Sequence, residues 1–271
     1  LPFLREFDLP IRQLDREEAR RRYPQISFDD VRSVWLEEEA GYLRARDACR
    51  LVAEATVKSG GDYRQLRAAP GRIHHGRMHS IALSDGSSLE ADAFVFACGP
   101  WLPRLFPELL AGHLQVTRQE IYFFAPPPGE AYQYPALPVW LEFGSTFYYG
   151  IPGHTGRGFK IADDIRTHTH FDPEGDDRTS THERIVQARS FLSRRFPQLA
   201  GAPLIEARVC QYTCSPDGHL LIDRHPEAGN VWLAGAGTGH AYKLGPAIGR
   251  YLAGRLLDGE EPADELRLDR L

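Results

Sequence analysis

The chain has 271 residues and a net charge of −5, from 32 basic and 37 acidic side chains. This balance, without a long basic run, argues against a general nucleic-acid-binding protein. No apolar stretch approaches the ~18 residues of a membrane span, and the charged start LPFLREFDLP is unlike a signal peptide. We therefore expect a cytoplasmic protein with no membrane partner, whose four scattered cysteines form no disulfide framework.

The first 60 residues predict two helices. The charge-rich residues 5–25 are typical of a helix that ends near Pro24. A second helix is expected over residues 46–59, capped by Asp47 and ended by Gly60-Gly61. Its apolar side would consist of Ala48, Leu51, Val52, Ala55 and Val57.

A meander of strands is expected next. Asp85-Gly86, between two alternating segments, predicts a hairpin. The run FVFACG, residues 94–99, is continuously apolar, which is typical of a strand buried on both faces. Gly99-Pro100-Trp101 then breaks the strand.

The middle of the chain, from about residue 114 to residue 196, is richer in strand-like and aromatic segments. LQVTRQEIYFFA, LPVWLEFGSTFYYGIPG and GFKIADD are strand-like and partly aromatic. Residues 180–196 predict an amphipathic helix. Its apolar positions are Ile185, Val186, Phe191, Leu192 and Phe196. This region predicts an antiparallel sheet with a helix against it, inserted between pieces of another domain.

Residues 208–249 contain the largest group of candidate functional residues in the sequence. A cysteine-bearing run leads through a turn to the apolar strand VWLAGAG, and His240 and Lys243 then open a predicted helix. Glycines at such a junction let the backbone approach a large ligand, and a helix start offers free N–H groups. The segment therefore indicates a cofactor site edged by ionisable side chains.

Two known motifs, a dinucleotide-binding loop and a zinc site, do not match this segment. GAGTGH has glycines at 235, 237 and 239, but the G-x-G-x-x-G spacing would need glycine where His240 stands. Cys210 and Cys214 form C-x3-C near His219, yet no second ligand pair follows at the spacing of a zinc site. We expect no metal, and a dinucleotide-binding loop only outside this chain.

The residues of this segment resemble a known family. RVCQYTCSPDGHLLID followed by VWLAGAGTGHAYK resembles the C-terminal part of the monomeric sarcosine oxidase family, flavin amine oxidases of the glycine/D-amino-acid oxidase superfamily. Weaker similarity extends to GYLRARDACRLVAEA, FVFACGPW, FYYGIP and GFKIADD. In that family an N-terminal Rossmann segment with the GxGxxG loop precedes this portion, so we expect such a segment as a partner absent from this chain.

The resemblance implies a fold class that is α/β and α+β. The expected architecture is part of a Rossmann-like FAD-binding domain with an inserted antiparallel-sheet substrate domain. Residues 1–45 would be a connecting and substrate-domain segment, and 46–106 part of the FAD-binding domain. Residues 107–207 would be the substrate domain, and 208–271 the C-terminal part of the FAD-binding domain.

The resemblance also implies residues that bind FAD. Cys210 matches the cysteine that carries FAD through a thioether, although a buried free cysteine is the commoner fate of this residue type. Cys214 matches no family role. The other expected cofactor-binding residues are Gly99, Gly237, Gly239, His240 and Ala241.

Two lysines match the family's substrate and oxygen sites. Lys243 corresponds to the lysine that binds the substrate carboxylate, against the alternative of a solvated surface group. Lys160, in GFKIADD, corresponds to the lysine near the reactive flavin edge. A fixed cation there would stabilise the negative charge that develops on oxygen. The alternative is a strand lysine that faces solvent.

Four further positions carry expectations. Tyr149 and Tyr212 match tyrosines that line the substrate cavity, although tyrosines in aromatic strands are often core residues. His240 matches a flavin-side histidine or is a packed histidine. Asp164 departs from the family, because sarcosine oxidases have a histidine there; a carboxylate could pair with a substrate ammonium or imine. This departure puts sarcosine itself in doubt as the substrate.

The expected function is FAD-dependent oxidation of an amino acid's amine to an imine, with oxygen reduced to hydrogen peroxide. The substrate would be an N-methyl, cyclic secondary or D-amino acid. One alternative is a dehydrogenase of the same superfamily that passes electrons to a quinone or a protein. Another is a non-catalytic scaffold that lacks the dinucleotide-binding loop.

Overall fold

The described part of the chain divides into two units, each assembled from three stretches of sequence. The computed structural model describes residue 7 and residues 9–154, 156–164 and 170–271. Unit 1 consists of the described residues of Leu1–Tyr42, Gln119–Arg166 and Asp177–Cys210. Unit 2 consists of those of Leu43–Arg118, Thr167–Asp176 and Gln211–Leu271.

The secondary structure is mixed. The strands are β1 (Ile11–Leu14), β2 (Val34–Glu37), β3 (Ala68–Ala69), β4 (Ile73–His74), β5 (Arg77–Met78), β6 (Ser80–Leu83), β7 (Ser88–Glu90), β8 (Phe94–Phe96), β9 (Gln115–Phe124), β10 (Trp140–Phe143), β11 (Phe147–Ile151), β12 (Phe159–Asp163), β13 (Leu204–Cys214), β14 (Leu221–His225) and β15 (Ala228–Gly235). The α-helices are α1 (Arg16–Arg22), α2 (Ala45–Lys58), α3 (Leu102–Leu105), α4 (Pro107–Leu110), α5 (His182–Arg195) and α6 (Ala241–Asp258).

A five-stranded sheet, in the order β10-β11-β12-β9-β13, forms the body of unit 1. The pairs from β10 to β9 are antiparallel, which confirms the antiparallel sheet predicted from the aromatic strands. Side chains alternate between the faces of a strand. Phe159 and Ile161 of β12 therefore join the core beneath α5, and Lys160 lies on the opposite face. That opposite face is called the open face below.

Helix α5 confirms the amphipathic helix predicted over residues 180–196. Thr181 caps it, since its hydroxyl accepts a hydrogen bond from the Arg184 N–H at 3.3 Å. Phe191 and Leu192 are buried against the sheet. The prediction was wrong for Val186, which is 48% exposed, because it lies on the side of the helix opposite to the buried Ala188.

The helix predicted over residues 5–25 is wrong over most of its length. Ile11–Leu14 form β1, which pairs antiparallel with β2, and the helix is limited to α1. Residues 1–6 and 8 lie outside the described residues. Asp15 begins α1 by accepting the Glu18 N–H at 2.7 Å. A local charge pattern could not reveal β1, because its partner strand lies about twenty residues further along the chain.

Helix α2 in unit 2 confirms the predicted helix to within one residue at each end, and Gly60 follows it with φ of +89°. Asp47 is not the cap, because Arg44 is the residue at which the backbone leaves the helix. Asp47 lies in the first turn instead and pairs with Arg44 at 2.5 Å. The predicted apolar side is exposed, with Leu51 at 55% and Val52 at 66%.

A three-stranded sheet, β14-β15-β8, organises unit 2, with β15 parallel to β8 and antiparallel to β14. Phe94 and Phe96 are buried in its core. The expectation that β8 is buried on both faces was wrong, since Val95 is 44% exposed on the other face. The Asp85-Gly86 hairpin is confirmed between β6 and β7, with Gly86 at φ of +86°.

Helix α6 follows β15 and ends at Gly259, which adopts the left-handed conformation with φ of +74°. No helix in the described ranges combines the length and the apolar character needed to cross a membrane.

Candidate functional site

Lys160 and Tyr149 meet on the open face of unit 1. Tyr149 lies opposite Ala162 in the β11–β12 ladder, and Ala162 shares a face with Lys160. The Lys160 ammonium donates a hydrogen bond to the Tyr149 hydroxyl at 3.4 Å, and its Nζ lies 4.7 Å from the ring centroid. The strand register therefore brings together two of the residues predicted for the site.

The pKa of Lys160 is lower than that of an ordinary lysine. Burial is the main cause that lowers its pKa, because an ammonium loses hydration in the sheet. The neighbouring charge of Arg157 lowers this pKa further, whereas Cys210 and Asp164 raise it. Lys160 is therefore more readily deprotonated than an ordinary surface lysine, and its protonation depends on named neighbours.

Asp164 continues the register of β12, with its N–H bonded to the Phe147 carbonyl at 2.8 Å. It lies two residues beyond Ala162 and so follows the Lys160 side of the strand. Its carboxylate raises the pKa of Lys160. The residue that departs from the family pattern is thus electrostatically linked to Lys160.

Cys210 is a half-buried free thiol in β13. Burial is the main cause that raises its pKa, while the charges of Lys160, Arg208 and Arg178 oppose that effect. Attachment to an electrophile requires the thiolate, which neighbouring cations stabilise. The same cations therefore favour the reactive form of a thiol that burial would keep protonated.

The junction between β15 and α6 in unit 2 has an unusual backbone. Ala236 and Thr238 have φ of +54° and +45°, and Gly239 follows at +80°. Non-glycine residues in this region cost of order 1–3 kcal/mol each and concentrate at binding sites. The Thr213 carbonyl accepts the Thr238 N–H at 2.9 Å and helps hold the junction in place.

The junction's glycines are required by packing inside unit 2. A Cβ on Gly239 would lie 2.7 Å from the Tyr212 ring, and one on Gly237 would lie 2.8 Å from the Ala241 Cβ. Contact with Tyr212 and Ala241 therefore accounts for two glycines that the sequence suggested for ligand approach.

Gly99 stands at the same edge of the unit 2 sheet as this junction. Because β8 and β15 are parallel, the loops that follow them leave the sheet at one edge, where ligands of α/β sheets usually bind. Gly99 has φ of +51°, and a Cβ added there would meet no atom within 4 Å. Open space therefore adjoins a left-handed glycine at this edge.

Lys243 lies in the first turn of α6 and is exposed. No described carboxylate pairs with it, and the first turn has no acidic residue. A cation at a helix N-terminus opposes the helix dipole, at a cost of about 0.3–1 kcal/mol. Helix stability therefore gives no reason for a lysine here, whereas an anionic ligand would.

His240 is the N-cap residue of α6, and its side chain makes no capping hydrogen bond to the helix. The Gly237 carbonyl accepts the His240 and Ala241 N–H groups at 2.7 and 3.2 Å. Donor capacity toward a ligand therefore lies with the later N–H groups of the first turn, those of Tyr242 and Lys243. With Gly99 and the left-handed junction, this edge fits a large anionic cofactor such as FAD.

Lysine is rare in this chain, and its rarity is a signal that motif reasoning missed. Of the 32 basic residues, 29 are arginine, and the three lysines are Lys58, Lys160 and Lys243. Arginine cannot lose its proton in proteins, and its charge is spread over a planar group, whereas lysine provides a compact ammonium with an adjustable pKa. Two of three lysines therefore occupy the predicted site positions.

Asp217, in the Pro-Asp-x-His stretch, has a structural role. Partial burial works to raise its pKa, but hydrogen bonds from Arg270, the His219 N–H and Ser215 outweigh it and lower the pKa to about 2. Arg270 also donates to the Leu220 carbonyl at 2.8 Å. Part of the family-like motif thus anchors the end of the described chain.

Metal ligation finds no support in the described ranges, where no three His, Cys, Asp or Glu side chains are grouped as ligands.

Comparison with known proteins places these features in a family. The profile of the family described as FAD dependent oxidoreductase matches residues 3–255. Monomeric sarcosine oxidase of Streptomyces avermitilis is 29% identical, over 94% of this chain and 67% of the relative. Human peroxisomal sarcosine oxidase is 28% identical, over 88% of this chain and 62% of the relative.

Solved structures show the same fold. Fructosamine oxidase from Aspergillus fumigatus (Amadoriase II) superposes with a TM-score of 0.81 at 21% identity, over 98% of this chain and 65% of that structure. The predicted fold class is therefore confirmed. The chain spans about two thirds of the length of the relatives it matches.

Proposed function

The chain belongs to the FAD dependent oxidoreductase family, and we propose that it contributes to the oxidation of an amino acid's amine to an imine, with oxygen reduced to hydrogen peroxide. The substrate is an N-methyl, cyclic secondary or D-amino acid. The observation that carries the proposal is Lys160, a half-buried lysine that is hydrogen-bonded to Tyr149 and has charged neighbours on the open face.

FAD, when bound, supplies the acceptor for a hydride equivalent and the route of electrons to oxygen. In this chain the edge formed by Gly99 and the β15–α6 junction would hold part of it. That assignment includes the first-turn N–H groups of α6 that follow Ala241, which suit a ligand with negative charge.

Lys243 binds the substrate carboxylate in this proposal. Its ammonium is exposed and has no described acidic partner, so an incoming carboxylate meets no competitor among the residues that the structure describes. Fixing the carboxylate orients the C–H bond next to the amine, and such orientation supplies much of catalysis. Tyr212, which packs against Gly239 in the same unit, contributes an aromatic wall.

Lys160 acts in the oxygen half of the reaction. A partly dehydrated ammonium stabilises negative charge that develops on oxygen better than a solvated one does. Tyr149 fixes its position, and Asp164 helps to keep it protonated. A chain that uses arginine at 29 other basic positions and lysine here is consistent with a need for a compact cation.

The decisive experiment separates the two half-reactions in the FAD-loaded protein. In Lys160→Met, reoxidation of the reduced flavin by oxygen should slow by about 10²–10³-fold. Anaerobic flavin reduction by a secondary amino acid should change far less. Lys58→Met is the matched control, because Lys58 is exposed at the end of α2.

Equal slowing of reduction and reoxidation in Lys160→Met would contradict the role of Lys160. Rapid turnover with a quinone but not with oxygen in the unaltered protein would favour the dehydrogenase alternative. Purified protein without flavin, and unable to take it up, would favour the scaffold.

Cys210 is proposed to carry the flavin through a thioether, supported by its half-burial beside Lys160. Acid precipitation tests this, because a covalently held flavin stays yellow in the protein pellet. Cys210→Ala should release the colour to the supernatant, whereas Cys214→Ala should retain it. Colour in the supernatant of the unaltered protein would refute the linkage.

A further inference from the structure

A second cation stands beside Lys160 on the open face of unit 1. Arg157 lies in the loop between β11 and β12, and its main-chain N–H donates a hydrogen bond to the His154 carbonyl at 3.0 Å. Its neighbour Gly158 has φ of +81°, and a Cβ there would lie 2.7 Å from the Phe124 carbonyl oxygen. Close packing of the backbone on β9 therefore fixes where the arginine emerges.

The guanidinium of Arg157 faces the same surface as Lys160. It lies 4.7 Å from the centroid of the Phe123 ring, a cation–π geometry. Phe123 is directly opposite Lys160 in the β9–β12 ladder and so shares its face. The charge of Arg157 is also close enough to act on the pKa of Lys160.

This cation is only partly neutralised. The Arg157 guanidinium is 3.7 Å from the Glu206 carboxylate, which is longer than a hydrogen bond. Glu206 also bonds closely to Arg208, so one carboxylate serves two guanidinium groups. The Arg157 side chain remains 33% exposed. Most of its N–H donors are therefore available to a ligand.

Fold stability does not explain a second cation beside a half-buried lysine, because like charges disfavour each other. An arginine can bind a carboxylate through two parallel hydrogen bonds, and the contact with the Phe123 ring restricts where the Arg157 guanidinium lies. Arg157 is also distinct from Lys243, the residue proposed to bind the amino acid's own carboxylate.

We propose that Arg157 recognises a second carboxylate on the substrate, so that the preferred substrates are dicarboxylic secondary amines. This inference rests on the proposed amine oxidation and specifies its substrate class. The second carboxylate is carried on the side chain of the amino acid. Arg157 is a specificity-determining residue, and it influences the redox step only through the pKa of Lys160.

A matched substrate pair tests the assignment in the FAD-loaded protein. N-methyl-aspartate and N-methyl-asparagine have nearly the same size and differ in one charge. The unaltered protein should prefer the acid in kcat/KM, and Arg157→Gln should reduce that preference by about 10- to 100-fold, mainly through KM. Turnover of the amide should change little. Arg157→Lys should restore only part of the preference, because the two-pronged geometry is lost.

The control is Arg50→Gln, which removes an exposed arginine paired with Glu54 on α2 and should leave the preference unchanged. Equal kcat/KM for the pair in the unaltered protein would overturn the role of Arg157 and leave the amine oxidation standing. Equal losses for both substrates in Arg157→Gln would also overturn it. Flavin reduction by neither substrate, nor by any other secondary amino acid, would overturn both proposals.

Discussion

The open face of unit 1 and the β15–α6 junction of unit 2 carry candidate residues in opposite ways. On the open face the backbone is regular, and Lys160 depends on side-chain neighbours, namely Tyr149, Arg157 and Asp164. At the junction the backbone is left-handed at three positions, and Lys243 is exposed and unpaired within the described residues. The candidate residues of the open face are therefore conditioned by neighbouring charges, and those of the junction by the shape of the main chain.

This contrast predicts different sensitivities to substitution. Changes at the junction should act through packing and backbone strain, and so affect stability and cofactor binding together. Changes on the open face should act through charge, and so alter rates and pH dependence while the fold persists.

The largest effect is expected from Gly239→Ala at the junction. The new Cβ would meet the Tyr212 ring at 2.7 Å while φ stays at +80°, so the substitution combines overpacking with strain. We expect a loss of about 2–4 kcal/mol in the free energy of unfolding, with weakened FAD binding. Denaturant unfolding and flavin titration measure both.

The matched control for Gly239→Ala is Gly245→Ala in α6, where a Cβ meets nothing within 4 Å. That change should be neutral or stabilise the protein by about 0.5–1 kcal/mol, since alanine favours a helix over glycine. Equal effects of the two substitutions would show that the junction is not specially constrained.

An intermediate effect is expected when the two lysines are exchanged for methionine in turn. Lys243→Met should raise KM for the amino acid by about 10- to 100-fold, because a charge-assisted contact with the carboxylate is lost. Oxygen reactivity should stay nearly unchanged. Lys160→Met should give the reverse pattern, and Lys58→Met should give neither.

Stopped-flow measurement of flavin reduction and reoxidation separates these outcomes. If both Lys160→Met and Lys243→Met impaired the same half-reaction, the division of labour between the two units would be wrong. A salt-dependent KM in the unaltered protein would further support an exposed carboxylate contact at Lys243.

The sequence predicted elements with strong local signals and missed those with distant partners. Helix α2 and the Asp85-Gly86 hairpin could be predicted because glycine and turn residues mark their ends in the local sequence. Strand β1 was taken for helix because its pairing with β2 is not a local property. The predicted burial of Val95 was wrong for a similar reason, since an apolar run of sequence does not show which elements cover each face of the strand.

The candidate site divides along the same line. Lys160, Tyr149, Cys210 and Lys243 were predicted from family-like motifs, and strand register explains why the first two meet. Arg157 was not predicted, because its place over Phe123 depends on how a loop folds back on the sheet. The scarcity of lysine was visible in the sequence and would have strengthened the prediction.

The smallest effect, and the finest test of tuning by charge, is expected from Asp164→Asn. The Asp164 carboxylate raises the pKa of Lys160, so removing its charge should lower that pKa. Reoxidation by oxygen needs the protonated lysine in our proposal, so its rate should then fall at a lower pH than in the unaltered protein. At fixed pH the change should stay within about tenfold.

Arg157→Gln should shift the pKa of Lys160 in the opposite direction to Asp164→Asn. Arg157 lowers the pKa of Lys160, so its removal should carry reoxidation to higher pH. The pH profile of the reoxidation rate measures both shifts, with Lys160→Met as the variant that should show no such step. Shifts in the same direction for Asp164→Asn and Arg157→Gln would mean that the profile reports another group. Opposite shifts would tie the oxygen half-reaction to the protonation of Lys160 itself, because these two neighbours act on that ammonium with opposite charge.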